Sequence, residues 1–150
     1  MDFLGIDDVL DFAIAKEQEA HDLYAQVAEM VRRPGLRQTF QELAEMELGH
    51  RRRLEAIKAR GVQAFGSGAV GDLGLTDLLV DVTPSPEMTY QEALLFAMKA
   101  EQRAHDLYIG LAKAVSDPEL RETFKSLARE ELKHKLFFET EYDDVVLEGN

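Results

Sequence analysis

Four glutamates and two histidines recur in this chain at fixed intervals. Glu47 and His50 stand three residues apart in "AEMELGH", and Glu131 and His134 do the same in "AREELKH". Glu17 opens "EQEAHDLY" and Glu101 opens "EQRAHDLY". Carboxylate oxygens and imidazole nitrogens are metal ligands, and Glu-x-x-His on a helix puts both on one face. If all six side chains are buried, they cannot stand uncompensated. One unpaired buried carboxylate costs several kcal/mol, and four close together repel one another. No Lys or Arg takes a core position at their level, whereas two divalent cations would balance four carboxylates. Oxygen and imidazole donors without thiolate suit iron or manganese and tolerate zinc. A Glu from each of two helices with Glu-x-x-His from each of the other two is the di-iron carboxylate pattern of four-helix bundles.

The elements that would position these residues are helices. Leu10, Ala13, Ile14, Glu17, Ala20, His21, Tyr24, Val27, Ala28 and Val31 follow the helical period from about residue 7 to 32, with Asp7 as N-cap and Pro34 as stop. A second helix is predicted over about 35–60, its stripe running from Leu36 through Phe40, Leu43, Glu47, His50 and Leu54 to Ile57. The stretch 61–88 reads as a long connection with a short helical turn near Leu75–Val80. A third helix begins at Thr89, where Glu92 completes a capping box, and runs to about Val115. A fourth starts behind Asp117 and Pro118 and reaches about Tyr142.

Shifting the sequence by 84 residues superimposes "FAIAKEQEAHDLY" on "FAMKAEQRAHDLY" and "PGLRQTFQELAEMELGH" on "PELRETFKSLAREELKH". From Leu10 to His50 roughly half the positions are identical, without a gap. The chain is therefore a duplicated helical hairpin: repeat one about 7–60, linker about 61–88, repeat two about 89–142 of a single domain spanning 1–150. Neither hairpin can bury its apolar stripe alone, so the two pair as an all-α four-helix bundle. The linker is long enough to return along a helix of about 39 Å, which predicts one long crossover.

Phase and depth agree with a shared site. With Glu17 at zero, His21 lies at about +40° and Tyr24 at about −20°; His50 lies about 60° from Glu47. Glu17 precedes Pro34 by seventeen residues, while Glu47 and His50 follow it by thirteen and sixteen; Glu101, Glu131 and His134 repeat these counts around Pro118. All six side chains should meet at one level of the bundle.

The elements "EQEAHDLY", "ELGH", "EQRAHDLY" and "ELKH" resemble those of the ferritin-like superfamily, and within it the rubrerythrin-type branch. The resemblance covers both hairpins. It implies a ferritin-like bundle holding two Fe ions, with Mn or Zn as alternatives. Glu17 and Glu101 would be terminal ligands, Glu47 and Glu131 bridges, and His50 and His134 would each bind one metal. Tyr24 and Tyr108 match the tyrosines that support the ligands in that family. This sequence departs from rubrerythrins in two ways: it has no Cys for a rubredoxin iron, and Ala104, like Ala20, stands where an extra Glu ligand would be. The expected site is thus symmetric, with six ligands, and electrons would come from an external donor.

His21 and His105 fall one turn after the first Glu of each hairpin, where they could hydrogen-bond a carboxylate ligand, bind metal themselves, or sit at the bundle edge, exposed or bonded to a backbone carbonyl. Asp22, Asp106 and the run Arg51–Arg53 read as solvated, Glu130 as pointing away from the ligand face, and Phe137 and Val146 as covering the bundle end or a partner subunit. The formal net charge of −12 argues against nucleic acid or an anionic membrane as partner. No apolar run is long enough for a membrane span, and a cytoplasmic location is expected. The function that follows is iron oxidation, or reduction of peroxide or dioxygen, as a ferroxidase or rubrerythrin-like peroxidase. Iron storage or buffering without turnover is the alternative, and a di-iron substrate hydroxylase ranks below both. A homodimer is expected.

Overall fold

The structure is a computed structural model, and it describes residues 5–61, 75–79 and 81–148. Four helices follow in order: α1 (Ile6–Met30), α2 (Pro34–Arg60), α3 (Tyr90–Ala114) and α4 (Pro118–Glu148), with a 3₁₀ turn at Thr76–Leu78 before α3. Among the described residues there is no strand. Within each hairpin the helices pack closely along their lengths, α1 on α2 and α3 on α4.

Both hairpin turns are built alike around a shared Val, Pro, Leu and Arg, although Arg32, Arg33 and Gly35 of the first are Ser116, Asp117 and Glu119 in the second. Val31 and Val115 leave their helices in extended conformation, and each N–H still closes a 3.2 Å bond to Val27 O or Leu111 O. Arg37 then donates to Ala28 O and Val31 O at 3.1 and 3.2 Å, and Arg121 donates to Val115 O at 3.0 Å. These guanidiniums satisfy carbonyls left free where the helices stop. Pro34 and Pro118 open α2 and α4, where a missing N–H costs nothing.

The caps mostly match expectation. Thr89 and Glu92 form the reciprocal box, at 2.9 and 3.1 Å, and the Asp117 carboxylate takes the Leu120 N–H at 2.8 Å. Asp7 is not the cap of α1. That role falls to Gly5, whose N–H is held by Asp8 at 3.0 Å. Helix α4 also continues past Tyr142 to Glu148, since nothing before Gly149 interrupts it. Glu141, just before this extension, is buried and accepts the Tyr90 hydroxyl at 2.8 Å, with Arg33 3.6 Å away.

The linker between the hairpins crosses the length of the bundle. Leu75 is buried against Gly110 near one end, Lys16 reaches Asp81 at 2.6 Å, and Gln26 donates to Pro86 O at 3.3 Å further along α1. Tyr90, at the start of α3, then packs edge-on against Phe40 at the hairpin-turn end. Helix α3 therefore runs antiparallel to α1. Most of the glycine-rich part of this connection, and Val80, lie outside the described residues.

Two apolar clusters fill the bundle. One holds Leu10, Leu54, Leu111, Phe124 and Leu127; the other holds Val27, Phe40, Leu94 and Phe138. Burying each such side chain contributes roughly 1.5–3 kcal/mol. Phe137, expected to cover the bundle end or a partner, packs edge-on against Phe40 and Phe138 at 5.8 and 5.5 Å.

Candidate metal centre

The polar layer lies between the two apolar clusters. Each helix contributes through the periodicity that builds the core: α1 supplies Glu17, α2 Glu47 and His50, α3 Glu101, and α4 Glu131 and His134. All six are buried, none more than 4% exposed. The expected level and face are therefore where the structure brings them together.

The geometry divides the six into two overlapping groups. Glu17, Glu47, His50 and Glu131 each offer a ligand atom within 4.8 Å of the others, and so do Glu47, Glu101, Glu131 and His134. Glu47 and Glu131 belong to both. Nδ1 of His50 lies 3.0 Å from Glu17, 2.9 Å from Glu131 and 3.7 Å from Glu47. Nδ1 of His134 lies 2.9 Å from Glu47 and 3.6 Å from both Glu101 and Glu131. The two rings are nearly parallel, 6.1 Å apart.

Hydrogen bonds do not satisfy this layer. Both oxygens of Glu47, one each of Glu101 and Glu131, and both nitrogens of His134 are buried without a hydrogen-bond partner. Such orphaned groups are rare in cores, because each carries its full desolvation cost. Among the described residues no Lys or Arg pairs with these four carboxylates. Carboxylate oxygens and imidazole nitrogens converging on two overlapping centres fit a pair of divalent metals.

Without metal, protons must carry the compensation. Burial, then the charges of Glu101 and Glu17, push Glu47 up to about 8 despite His134. Burial and the charges of Glu101, Glu17 and Glu47 also push Glu131 well above the usual carboxylate range. Burial alone would lower the two imidazoles. The carboxylates crowded against each ring outweigh it and raise His50 to about 9 and His134 to about 10.

The tyrosines cross between repeats. Tyr24 donates to Glu101 Oε1 at 2.5 Å, and Tyr108 donates to Glu17 Oε1 at 3.1 Å. Burial and the neighbouring carboxylates raise both phenols well above their ordinary value, so they remain donors. His21 and His105 do not bond these glutamates. His21 Nδ1 donates to Ala44 O at 2.8 Å, while His105 Nδ1 lies 3.1 Å from Asp106 on its own helix.

One other reading needs correction. Of Arg51–Arg53 only Arg52 is exposed. Arg51 bonds Gln18 and pairs with Glu55, and Arg53 pairs with Glu130 at 3.0 Å. Glu130 points away from the ligand face of its helix, yet α2 brings His50 Nε2 to 3.4 Å from it. Burial would raise the Glu130 carboxyl, but Arg53 and His50 hold it below the usual range.

A cavity of about 50 Å³ lies between α1 and α3 under the crossover, next to the layer. Phe12, Ala20, Leu78, Val82, Phe96 and Ala104 line its apolar walls, and Glu17, Glu47, Glu101 and Glu131 lie at its inner end. Ala20 and Ala104 keep it open where larger side chains would fill it. Among the described residues no helix is long and apolar enough to cross a membrane.

Comparison with known proteins agrees with this geometry. A solved structure from Thermotoga maritima, described as a ferritin-like diiron-carboxylate protein, superimposes with a TM-score of 0.73 at 19% identity, covering 95% of this chain and 97% of that one. At that identity the likeness establishes the fold. No curated protein matches the chain. The sequence model of the rubrerythrin family matches residues 8–64 and 92–150, both hairpins and most of the chain. The chain belongs to the rubrerythrin family.

Proposed function

We propose that the polar layer holds two iron ions and that the protein oxidises Fe(II) or reduces peroxide or dioxygen. One observation carries this reading: two buried four-residue ligand groups that share Glu47 and Glu131. In the assignment it supports, Glu47 and Glu131 would serve both ions, Glu17 and His50 would complete one position, and Glu101 and His134 would complete the other. When bound, an iron pair supplies two one-electron redox centres beside each other. The chain's own part is positional and electrostatic. The Tyr24 and Tyr108 hydroxyls each hold one oxygen of a terminal carboxylate, which fixes its rotamer and leaves the other oxygen for metal. The apolar walls around the cavity keep bulk water from the layer. Loading should displace the protons that the layer otherwise retains.

The cavity favours a small oxidant over an organic substrate. An apolar cavity of about 150 Å³ is what benzene occupies, and the space here is about a third of that. Dioxygen or hydrogen peroxide fits such a volume, which ranks the hydroxylase reading lowest. An external reductant, a homodimeric assembly and a single domain spanning 1–150 complete the proposal.

The test is an anaerobic titration with Fe(II), followed by peroxide or dioxygen. Binding of about two irons per chain, then rapid growth of a ferric absorption band with oxidant consumed in proportion, supports the reading. Absence of iron binding overturns it. Slow oxidation together with a large hollow assembly in light scattering would favour storage instead.

A further inference from the structure

The two halves are not equivalent behind their histidines. His50 Nε2 faces Glu130 Oε1 at 3.4 Å, and Glu130 is itself held by Arg53 at 3.0 Å and Ser126 at 3.2 Å. The 84-residue repeat puts Met46 where Glu130 would be, Phe137 in place of Arg53, and Glu42 in place of Ser126. None of the three serves His134. Met46 is 41% exposed and offers no strong acceptor, Phe137 packs edge-on in the aromatic cluster, and Glu42 is engaged by Gln38. His134 Nε2 is accordingly buried without a partner.

A carboxylate behind a ligating imidazole does two things. It keeps the proton on the outer nitrogen, leaving the inner lone pair for metal, and it makes that lone pair more basic. Here Nδ1 faces the layer in both rings, but only His50 has such support. Its ring is also held on both sides, by Glu17 within the layer and by Glu130 outside it.

We propose that the two metal positions differ in affinity: the one completed by Glu17 and His50 fills first and retains its ion, while the one completed by Glu101 and His134 exchanges. Glu130 is the positioning residue responsible, with Arg53 and Ser126 fixing it in place. The proposal rests on the layer binding two divalent metals. It gives the pair a resident ion and a replaceable one, an arrangement suited to Fe(II) that enters, is oxidised and leaves.

The experiment is an anaerobic titration of the full chain with Co(II), followed by calorimetry and by the cobalt visible bands, with no turnover involved. The wild-type protein should bind in two steps whose dissociation constants differ by about 10- to 100-fold, the usual reach of such outer contacts. Glu130→Gln should weaken the tight step by about 10-fold and leave the weak step unchanged. Met46→Glu supplies the missing carboxylate and should strengthen the weak step. Two steps of equal affinity, or equal weakening of both by Glu130→Gln, overturn the inequality while leaving a two-metal centre intact. No cobalt binding at all overturns both.

Discussion

The two hairpins agree where they face each other and differ where they do not. Glu17, Glu47 and His50 correspond to Glu101, Glu131 and His134, and Tyr24 and Tyr108 each bond the terminal carboxylate of the opposite repeat. Just outside this layer the correspondence breaks. Glu130 is answered by Met46, Arg53 by Phe137, and Gly110 by Gln26. A side chain in the layer contacts the other repeat's copy of the same layer, so changing one side alone disrupts both. Behind the histidines and along the crossover each repeat meets a different environment, and its residues have diverged to match.

The largest expected effect separates shared ligands from unshared ones. Glu47→Gln with Glu131→Gln removes a donor from both ligand groups, so stoichiometric metal binding should disappear. Glu17→Gln removes a donor from one group, so about one ion per chain should remain. Metal analysis after gel filtration distinguishes these results. Equal losses from both variants would break the distinction between bridging and terminal carboxylates.

The metal-free protein should also show that the layer, not the shell, sets its response to pH. Glu47 has a folded pKa of about 8, above its unfolded value of 4.5, so ionising it costs stability increasingly as pH rises between those values. His50 and His134 are raised to about 9 and about 10, so their stabilisation is full below 6.5 and lost as pH rises through the folded values. The signs agree. Apo stability should fall by several kcal/mol from about pH 6 to pH 9, and Glu47→Gln with Glu131→Gln should flatten that slope. Thermal melts across this range in the presence of a chelator measure it. A flat wild-type profile would sink the electrostatic account.

What could be read from the sequence follows the same division. The six ligand candidates share one face, one depth and one repeat, and those regularities are visible along a single chain. The Thr89 and Asp117 caps were legible because their bonds stay within three residues. Glu130 was not, because helical phase alone turns it outward and only the crossing of α2 and α4 brings His50 to it. His21 and His105 mislead in the other direction. Their identity in the two repeats suggests a common role, yet one meets a backbone carbonyl on α2 and the other an aspartate on its own helix.

Along the crossover the asymmetry can be tested by exchanging residues between repeats. A Cβ at Gly110 would overlap the buried Leu75 side chain. Gly110→Gln, which installs the repeat-one residue, should displace the crossover and cost about 1–3 kcal/mol through overpacking. The reciprocal Gln26→Gly loses a single bond to Pro86 O and some helix propensity, about 1 kcal/mol. If the Gln26 variant proves the more damaging, Leu75 does not anchor the crossover as described.

The smallest effects belong to the hairpin turns, where the repeats share the bracing arginine but not quite its bonding. Arg37 spans Ala28 O and Val31 O, whereas Arg121 reaches Val115 O. Hydrogen bonds from a charged donor are each worth about 1.5–3 kcal/mol when buried and less at a surface. Arg37 lies at the protein surface, so Arg37→Ala should cost about 1–2 kcal/mol and Arg121→Ala about 1 kcal/mol or less. Urea midpoints at constant slope would measure both. Because each guanidinium acts only on its own turn, the two losses should add in the double variant. Marked non-additivity would mean that the turns communicate through the bundle, and that the repeats are coupled beyond the polar layer where they meet.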